Sequence, residues 1–307
     1  MRVLITGITG YIGSNLARAL VGKHQVFGLV REPVTQVYIA DLTSDITFFT
    51  YHGNYQDIAH AVLESQPDVI YHLAAYYTSA HGPEQTPRLL ASNVVLGGYL
   101  LEAMSTANIK NLVYASTITE YGQDGVYAPG SLYAASKRAF QDLAVYYAKA
   151  ENLHVINLIL SDTYGPGDYR PKVLNLLKKA LSSGERMILS SGSQDYDLVY
   201  IDDVINAFIL AGYRLYNHLE IEPTCYQIFA RSPLSLRSTA EQLMEISGIT
   251  DISNIVFGGI SLPNGIPTKA LRIYPSIPGW KERVSLQEGL SRFWHESGFK
   301  QEVENTI

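Results

Sequence analysis

Over its first 160 residues the chain alternates short, apolar, β-rich runs with helical patterns, and that alternation leaves few folds open. The spacing predicts strands at Val3–Thr6, Gln25–Val30, Asp68–Leu73, Asn111–Ser116 and Val155–Leu160. It predicts helices at Tyr11–Val21, Ile58–Ser65, Leu89–Ala107 and Leu132–Ala150. Asp68-Val-Ile-Tyr and Asn111-Leu-Val-Tyr are almost wholly apolar or aromatic, as strands covered on both faces must be. The expected fold class is therefore α/β, a doubly wound parallel-sheet Rossmann fold over residues 1–161. Beyond residue 161 the pattern loosens into Gly-, Pro- and Ser-rich segments with helices at Lys172–Ser183, Val204–Tyr213 and Arg237–Ser247. Residues 162–307 are expected to form a smaller C-terminal substrate domain, with segments at about 195–215 returning to the first.

The first strand runs straight into Gly7-Ile-Thr9-Gly10-Tyr11-Ile12-Gly13 and then a helix. Glycines permit a tight turn and close approach of a pyrophosphate, and the helix N-terminus offers free N–H groups to the anion. This strand–turn–helix context marks a dinucleotide site, with spacing G-x-x-G-x-x-G rather than G-x-G-x-x-G. The second strand ends in Arg31-Glu32. An arginine at that point suits a ribose 2′-phosphate and an acid suits a free 2′-hydroxyl. Arg31 therefore favours NADP(H) as cofactor, while Glu32 keeps NAD(H) open.

Tyr133-Ala-Ala-Ser-Lys137 puts a phenol and an ammonium one helical turn apart on a common face. A phenol near pKa 10 is a poor base at neutral pH, and a neighbouring ammonium is expected to bring it toward the working range. The preceding strand ends in Ser116-Thr117, hydroxyls able to bond a reacting carbonyl at the edge where an open α/β sheet takes its ligand.

Composition excludes several classes. The net charge of −6 gives no basic footprint, so no nucleic acid partner is expected. Cys225 is the only cysteine, which precludes an intrachain disulfide or a thiolate metal site and fits a reducing compartment. The histidines show no ligand spacing, and no metal is expected. No apolar run is long enough to span a bilayer, and the N-terminal apolar run is too short for a signal peptide. A cytoplasmic protein without a membrane partner is expected.

Taken together, the motifs resemble those of the extended short-chain dehydrogenase/reductase family of nucleotide-sugar epimerases, dehydratases and ketoreductases. The resemblance covers nearly the whole chain: Thr6–Gly13, His72-Leu-Ala-Ala75, Ser116-Thr117-x-x-x-Tyr121-Gly122, Tyr133-x-x-x-Lys137, Tyr164-Gly-Pro166, Tyr200-Ile-Asp-Asp203 and Gly279-Trp280 followed by Ser285–Gly289. It implies that Thr117 is the catalytic hydroxyl, Tyr133 the acid/base, and Lys137 also the holder of the nicotinamide ribose. It also places Leu73, Ala74, Ala75 and Ser116 along the cofactor, and Asn54 near the adenine. Tyr76, Thr78 and His81, in the loop after the fourth strand, are expected at the substrate with Asp162. A homodimer pairing Leu89–Ala107 and Leu132–Ala150 across a two-fold axis is implied as well.

Departures from the family pattern narrow the reading. The family's 4,6-dehydratases carry Asp-Glu after Ser-Thr, where this chain has Ile118-Thr119, so a dehydratase is not expected. The cysteine used for ring-carbon epimerisation is absent from this segment. Hydride transfer alone remains. With Arg31 and the short loop between Gly122 and Tyr133, the chain looks most like the CDP-abequose/paratose-synthase type of 4-ketoreductase. A nucleotide-sugar 4-epimerase is the alternative, and a non-catalytic dinucleotide sensor a remote one. The arginine that usually grips the nucleotide-sugar diphosphate is replaced by Tyr196, for which Arg170 and Lys172 are expected to compensate.

Overall fold

The computed structural model describes residues 1–31, 39–78, 82–262 and 267–296. Element by element, the first half runs β1 (Arg2–Thr6), α1 (Tyr11–Leu20), β2 (Gln25–Arg31), β3 (Ile46–Tyr51), α2 (Tyr55–Ser65), β4 (Val69–His72), α3 (Gln85–Leu90), α4 (Leu96–Thr106), β5 (Asn111–Thr117), α5 (Leu132–Glu151) and β6 (His154–Leu160). The second half continues through β7 (Asp162–Tyr164), α6 (Val173–Ser183), β8 (Met187–Leu189), β9 (Asp195–Tyr196), β10 (Leu198–Tyr200), α7 (Ile201–Tyr216), β11 (Thr224–Ile228), β12 (Leu234–Ser235), α8 (Leu236–Ser247), β13 (Ile255–Phe257) and α9 (Leu286–His295).

Seven strands form one parallel sheet in the order β11-β6-β5-β4-β1-β2-β3. Alternate side chains leave a strand on opposite faces, so each strand feeds two cores. From β1, Leu4 joins Ile58, Leu100, Leu112 and Phe140 under α2, α4 and α5. Its neighbours Val3 and Ile5 join Leu16, Tyr71, Phe208 and Ala211 under α1 and α7. Each such aliphatic or aromatic side chain contributes about 1.5–3 kcal/mol of burial. The doubly wound parallel-sheet Rossmann fold is thus the architecture of the chain. The chain order reverses between β1 and β4, and such a switch point opens a crevice at the C-terminal strand ends.

The later residues build small pairs, β7 with β10, β9 with β12 and β8 with β13, packed with α6, α8 and α9. Two later segments lie on the main sheet: α7 covers it and β11 pairs with β6 as its outermost strand. The return therefore extends past the expected stretch of about 195–215. Asp203, buried at the start of α7, accepts from the backbone N–H groups of Arg283 and Val284 at 3.0–3.1 Å. The Trp280 indole donates to the Asp203 carbonyl at 2.8 Å, so the C-terminal segment is tied to the same helix.

One expectation needs revision. Leu89–Ala107 is not one regular helix; a π-helical turn at Ala91–Val95 separates α3 from α4. The apolar periodicity runs through this turn and hides it. Strands β3 and β11 and helix α9 also escaped the sequence pattern. No helix among the described residues is long and apolar enough to cross a membrane.

Candidate active site

The glycine turn is dictated by space. Gly7 has φ +70°, and a Cβ there would lie 2.5–2.7 Å from backbone atoms of Leu73 and Ala74. Only glycine allows the turn to press against the chain leaving β4. The N-terminus of α1 has no side-chain cap and no acid in its first turn, so its amides remain available to an anion. These residues fit the pyrophosphate of a dinucleotide. Thr9 and Ile12 are partly exposed at the turn. Tyr11 is buried, donates to the Pro166 carbonyl at 3.3 Å and carries the Arg170 guanidinium 4.7 Å above its ring. It thereby joins the phosphate turn to the loop after β7.

Arg31 is exposed at the C-terminal end of β2. Glu32 and His81 lie outside the described residues. Asn54 caps α2: its Oδ1 accepts from the Asp57 amide at 3.0 Å and its Nδ2 donates to the Asp57 carboxylate at 2.9 Å. The side chain expected at the adenine is thus engaged in its own helix.

Leu73 and Ala74 hang from Thr6, whose carbonyl and hydroxyl accept from their amides at 3.1 and 3.2 Å. His72 sits below them, hydrogen-bonded to the Thr6 hydroxyl at 2.7 Å, and burial lowers its pKa to about 3. It is a neutral structural residue. Ala75 is exposed at the crevice, and Tyr76 is fixed by Asn93, whose amide meets its N–H at 2.7 Å and its carbonyl at 3.0 Å. Asn93 also donates to Ser136 at 2.9 Å, and Arg88 lies 4.3 Å over the Tyr76 ring. Sequence reading missed Asn93; a polar amide within the apolar run Leu89–Leu96 was the available signal. Thr78 is partly buried in the same loop.

Thr117 ends β5, and its hydroxyl lies 2.9 Å from that of Thr119. Ser116 is buried and donates to the Glu120 carboxylate, so its hydroxyl is turned inward. Tyr133 lies in the first turn of α5, a helix packed against β5, with Lys137 one turn on and buried. Tyr77 meets the Tyr133 ring edge-on at 5.0 Å. The expectation that Lys137 lowers the Tyr133 pKa is corrected by this geometry. Burial pushes the phenol up to about 12, and the opposing influence comes from Arg170. The same burial lowers Lys137 to about 8, and Lys137 is not among the groups that act on the phenol. Tyr133 is therefore a neutral hydroxyl, ready to give a proton.

On the substrate side the expected cations are held by acids. Arg170 forks onto the buried Asp168 through two contacts of 2.6 Å, and Lys172 reaches Asp162 at 2.6 Å. The Tyr196 hydroxyl is raised well above its usual pKa by burial, with Asp162 and Asp168 adding to the effect. Next to it, Asp197 receives Arg272 from the C-terminal segment at 2.8 Å, so an arginine reaches this place from elsewhere in the chain. A cavity of about 430 Å³ lies between Leu198, Arg231, Gln242 and Arg283; of the expected site residues only Tyr196 lines it.

A phosphate turn at the switch point, with a Thr–Tyr–Lys set on the adjacent strand and helix, defines a nicotinamide-dinucleotide oxidoreductase of the short-chain type. The chain belongs to the NAD dependent epimerase/dehydratase family, whose sequence model matches residues 3–219. It is 31% identical over 212 residues to a CDP-abequose synthase of Yersinia pseudotuberculosis, covering 68% of this chain and 72% of that one. It is 30% identical over 229 residues to a UDP-glucose 4-epimerase of Mycolicibacterium smegmatis, covering 69% and 73%. The fold superimposes on UDP-glucuronic acid 4-epimerase from Bacillus cereus, solved with UDP-glucuronic acid and NAD, at a TM-score of 0.82 and 23% identity, covering 96% and 98% of the two chains.

Proposed function

We propose that the chain is an NADPH-dependent reductase of a nucleotide-linked 4-keto-6-deoxyhexose. The carrying observation is the end of β5. Thr117 closes that strand, α5 packs against it with Tyr133 in its first turn, and Ile118 and Thr119 occupy the positions where a dehydratase needs its two acids. The likeness to a CDP-abequose synthase supports the same reading, and Arg31 at the end of β2 supports NADP(H) over NAD(H). When bound, the reduced nicotinamide supplies the hydride. Thr117 orients the ketone oxygen, Tyr133 delivers a proton to it, and Lys137 holds the nicotinamide ribose. Hydride and proton together convert the ketone to the alcohol. A homodimer through α4 and α5 belongs to the proposal.

The 4-epimerase reading is retained because the UDP-glucose 4-epimerase of M. smegmatis is as similar as the synthase. The two readings separate in one assay. With a CDP- or TDP-linked 4-keto-6-deoxyhexose, the reductase oxidises one NADPH per alcohol formed, faster than NADH, followed at 340 nm. Tyr133→Phe is expected to lower kcat by about 100-fold or more. Failure to oxidise NADPH, together with interconversion of UDP-hexoses without net cofactor turnover, assigns the epimerase. An unchanged rate in Tyr133→Phe removes the mechanism.

A further inference from the structure

Of the two adjacent tyrosines after β4, only one is taken up by the fold. Tyr76 is held by Asn93 at both backbone groups, and its ring lies under the Arg88 guanidinium at 4.3 Å. Tyr77 is left 59% exposed, with its ring edge-on to that of Tyr133 at 5.0 Å and 83°. Exposed tyrosines are ordinary on a surface; one that leans on the ring of the acid is not. β4 and β5 are neighbours in the sheet, so the two rings meet above adjacent C-terminal strand ends, where an open α/β sheet takes its ligand. The backbone is pinned one residue before Tyr77, which presents the ring from a fixed anchor. We propose that Tyr77 is a specificity-determining residue, whose ring receives the C5–C6 edge of the hexose and selects a 6-deoxy methyl over a hydroxymethyl. The proposal rests on Tyr133 being the acid at a 4-ketosugar.

Reach and polarity both point to that edge. A ketone oxygen accepting from the Tyr133 hydroxyl sits about 2.6–3.2 Å from it. C5 is then two bonds from that oxygen and C6 three, on the scale of the contact between the two rings. A methyl group and ring C–H bonds are apolar with slightly positive hydrogens, which suit the negative face of an aromatic ring. A 6-hydroxyl placed there gives up water and gains no partner from the ring face. Partial burial, and then the nearby Asp162 carboxylate, raises the Tyr77 phenol, so the side chain extends from the acid toward β7. One oxygen of that carboxylate is engaged by Lys172 at 2.6 Å. An apolar contact of this kind rejects an added hydroxyl by on the order of 10- to 100-fold.

The test is binding and does not depend on turnover. With the oxidised cofactor saturating, dissociation constants for CDP-6-deoxyglucose and CDP-glucose, and for the TDP-linked pair, are measured by calorimetry. The parent is expected to bind the 6-deoxy form about tenfold more tightly, and Tyr77→Phe to keep that ratio. Tyr77→Ala is expected to bring the ratio close to one while cofactor affinity stays within about twofold. A merely structural role weakens both sugars alike, so an equal loss with the ratio kept overturns the proposal. A loss of cofactor affinity in place of the ratio overturns it as well. Should Tyr77→Ala not fold, an NOE between the bound C6 methyl and the Tyr77 ring protons in the parent supports the contact, and its absence overturns it. A parent that binds sugar nucleotides with no 6-deoxy preference sinks this proposal alone, whereas one that binds none of them sinks the reductase reading and this proposal together.

Discussion

Lys137 and Tyr133 are one helical turn apart, yet burial moves them in opposite directions on the pH scale: the ammonium falls to about 8 and the phenol rises to about 12. The unfolded chain binds a proton at Lys137 up to about pH 10.5, whereas the folded chain releases it above about 8. Between those values the unfolded state binds more protons, so stability attributable to Lys137 rises with pH. Tyr133 works against this only above pH 10, where the unfolded phenol ionises first. From pH 7.5 to 9.5 the parent is therefore expected to gain about 2 kcal/mol relative to Lys137→Met, measured by urea unfolding at each pH. A gap that does not change with pH would refute the buried ammonium. At this scale the sequence was readable in part. Thr117, Tyr133 and Lys137 follow from a motif and its strand–helix context. That Ser116 turns inward, that Arg170 and Lys172 are paired with Asp168 and Asp162, and that Asn54 caps its own helix depend on neighbours that only folding supplies.

The π-helical turn between α3 and α4 carries Asn93 as its buried residue. Its one amide group satisfies both backbone groups of Tyr76 and reaches Ser136 on α5, so three elements meet on a single side chain. Asn93→Ala leaves those buried groups unpaired and is expected to cost about 2–3 kcal/mol in urea unfolding. It should also weaken dinucleotide binding, measured by fluorescence quenching, because Leu73–Ala75 lead into the freed segment. A loss below about 0.5 kcal/mol with unchanged affinity would show that the loop holds its shape unaided. Elements were legible where their pattern was pure. β4 is buried at all four positions and β6 at six of seven, so a continuous apolar run announces each. β11 reads Thr-Cys-Tyr-Gln-Ile, and its first two residues are half-exposed at the sheet edge, which leaves too weak a run to recognise.

Among the described residues, the helical segment from α3 to α5 carries exposed apolar side chains. Leu90 is 40% exposed, Val95 43% and Tyr146 62%. In the proposed homodimer these side chains lie at the contact between copies. Tyr146→Arg is expected to convert the dimer to monomer in size-exclusion chromatography with light scattering, while a parent that already runs as a monomer would remove the proposal. The fold class was legible because strand–helix alternation admits one architecture; the sharing of that architecture between the two halves was not. α7 and β11, both beyond residue 161, complete the first half. A fragment ending at residue 161 would leave β6 as a bare sheet edge and uncover Val3, Ile5, Tyr71 and Val113 beneath the lost α7. Unpaired strand edges recruit other chains, so such a fragment would aggregate rather than serve as a portable dinucleotide module. Engineering by domain exchange must carry residues 201–228 with the first half.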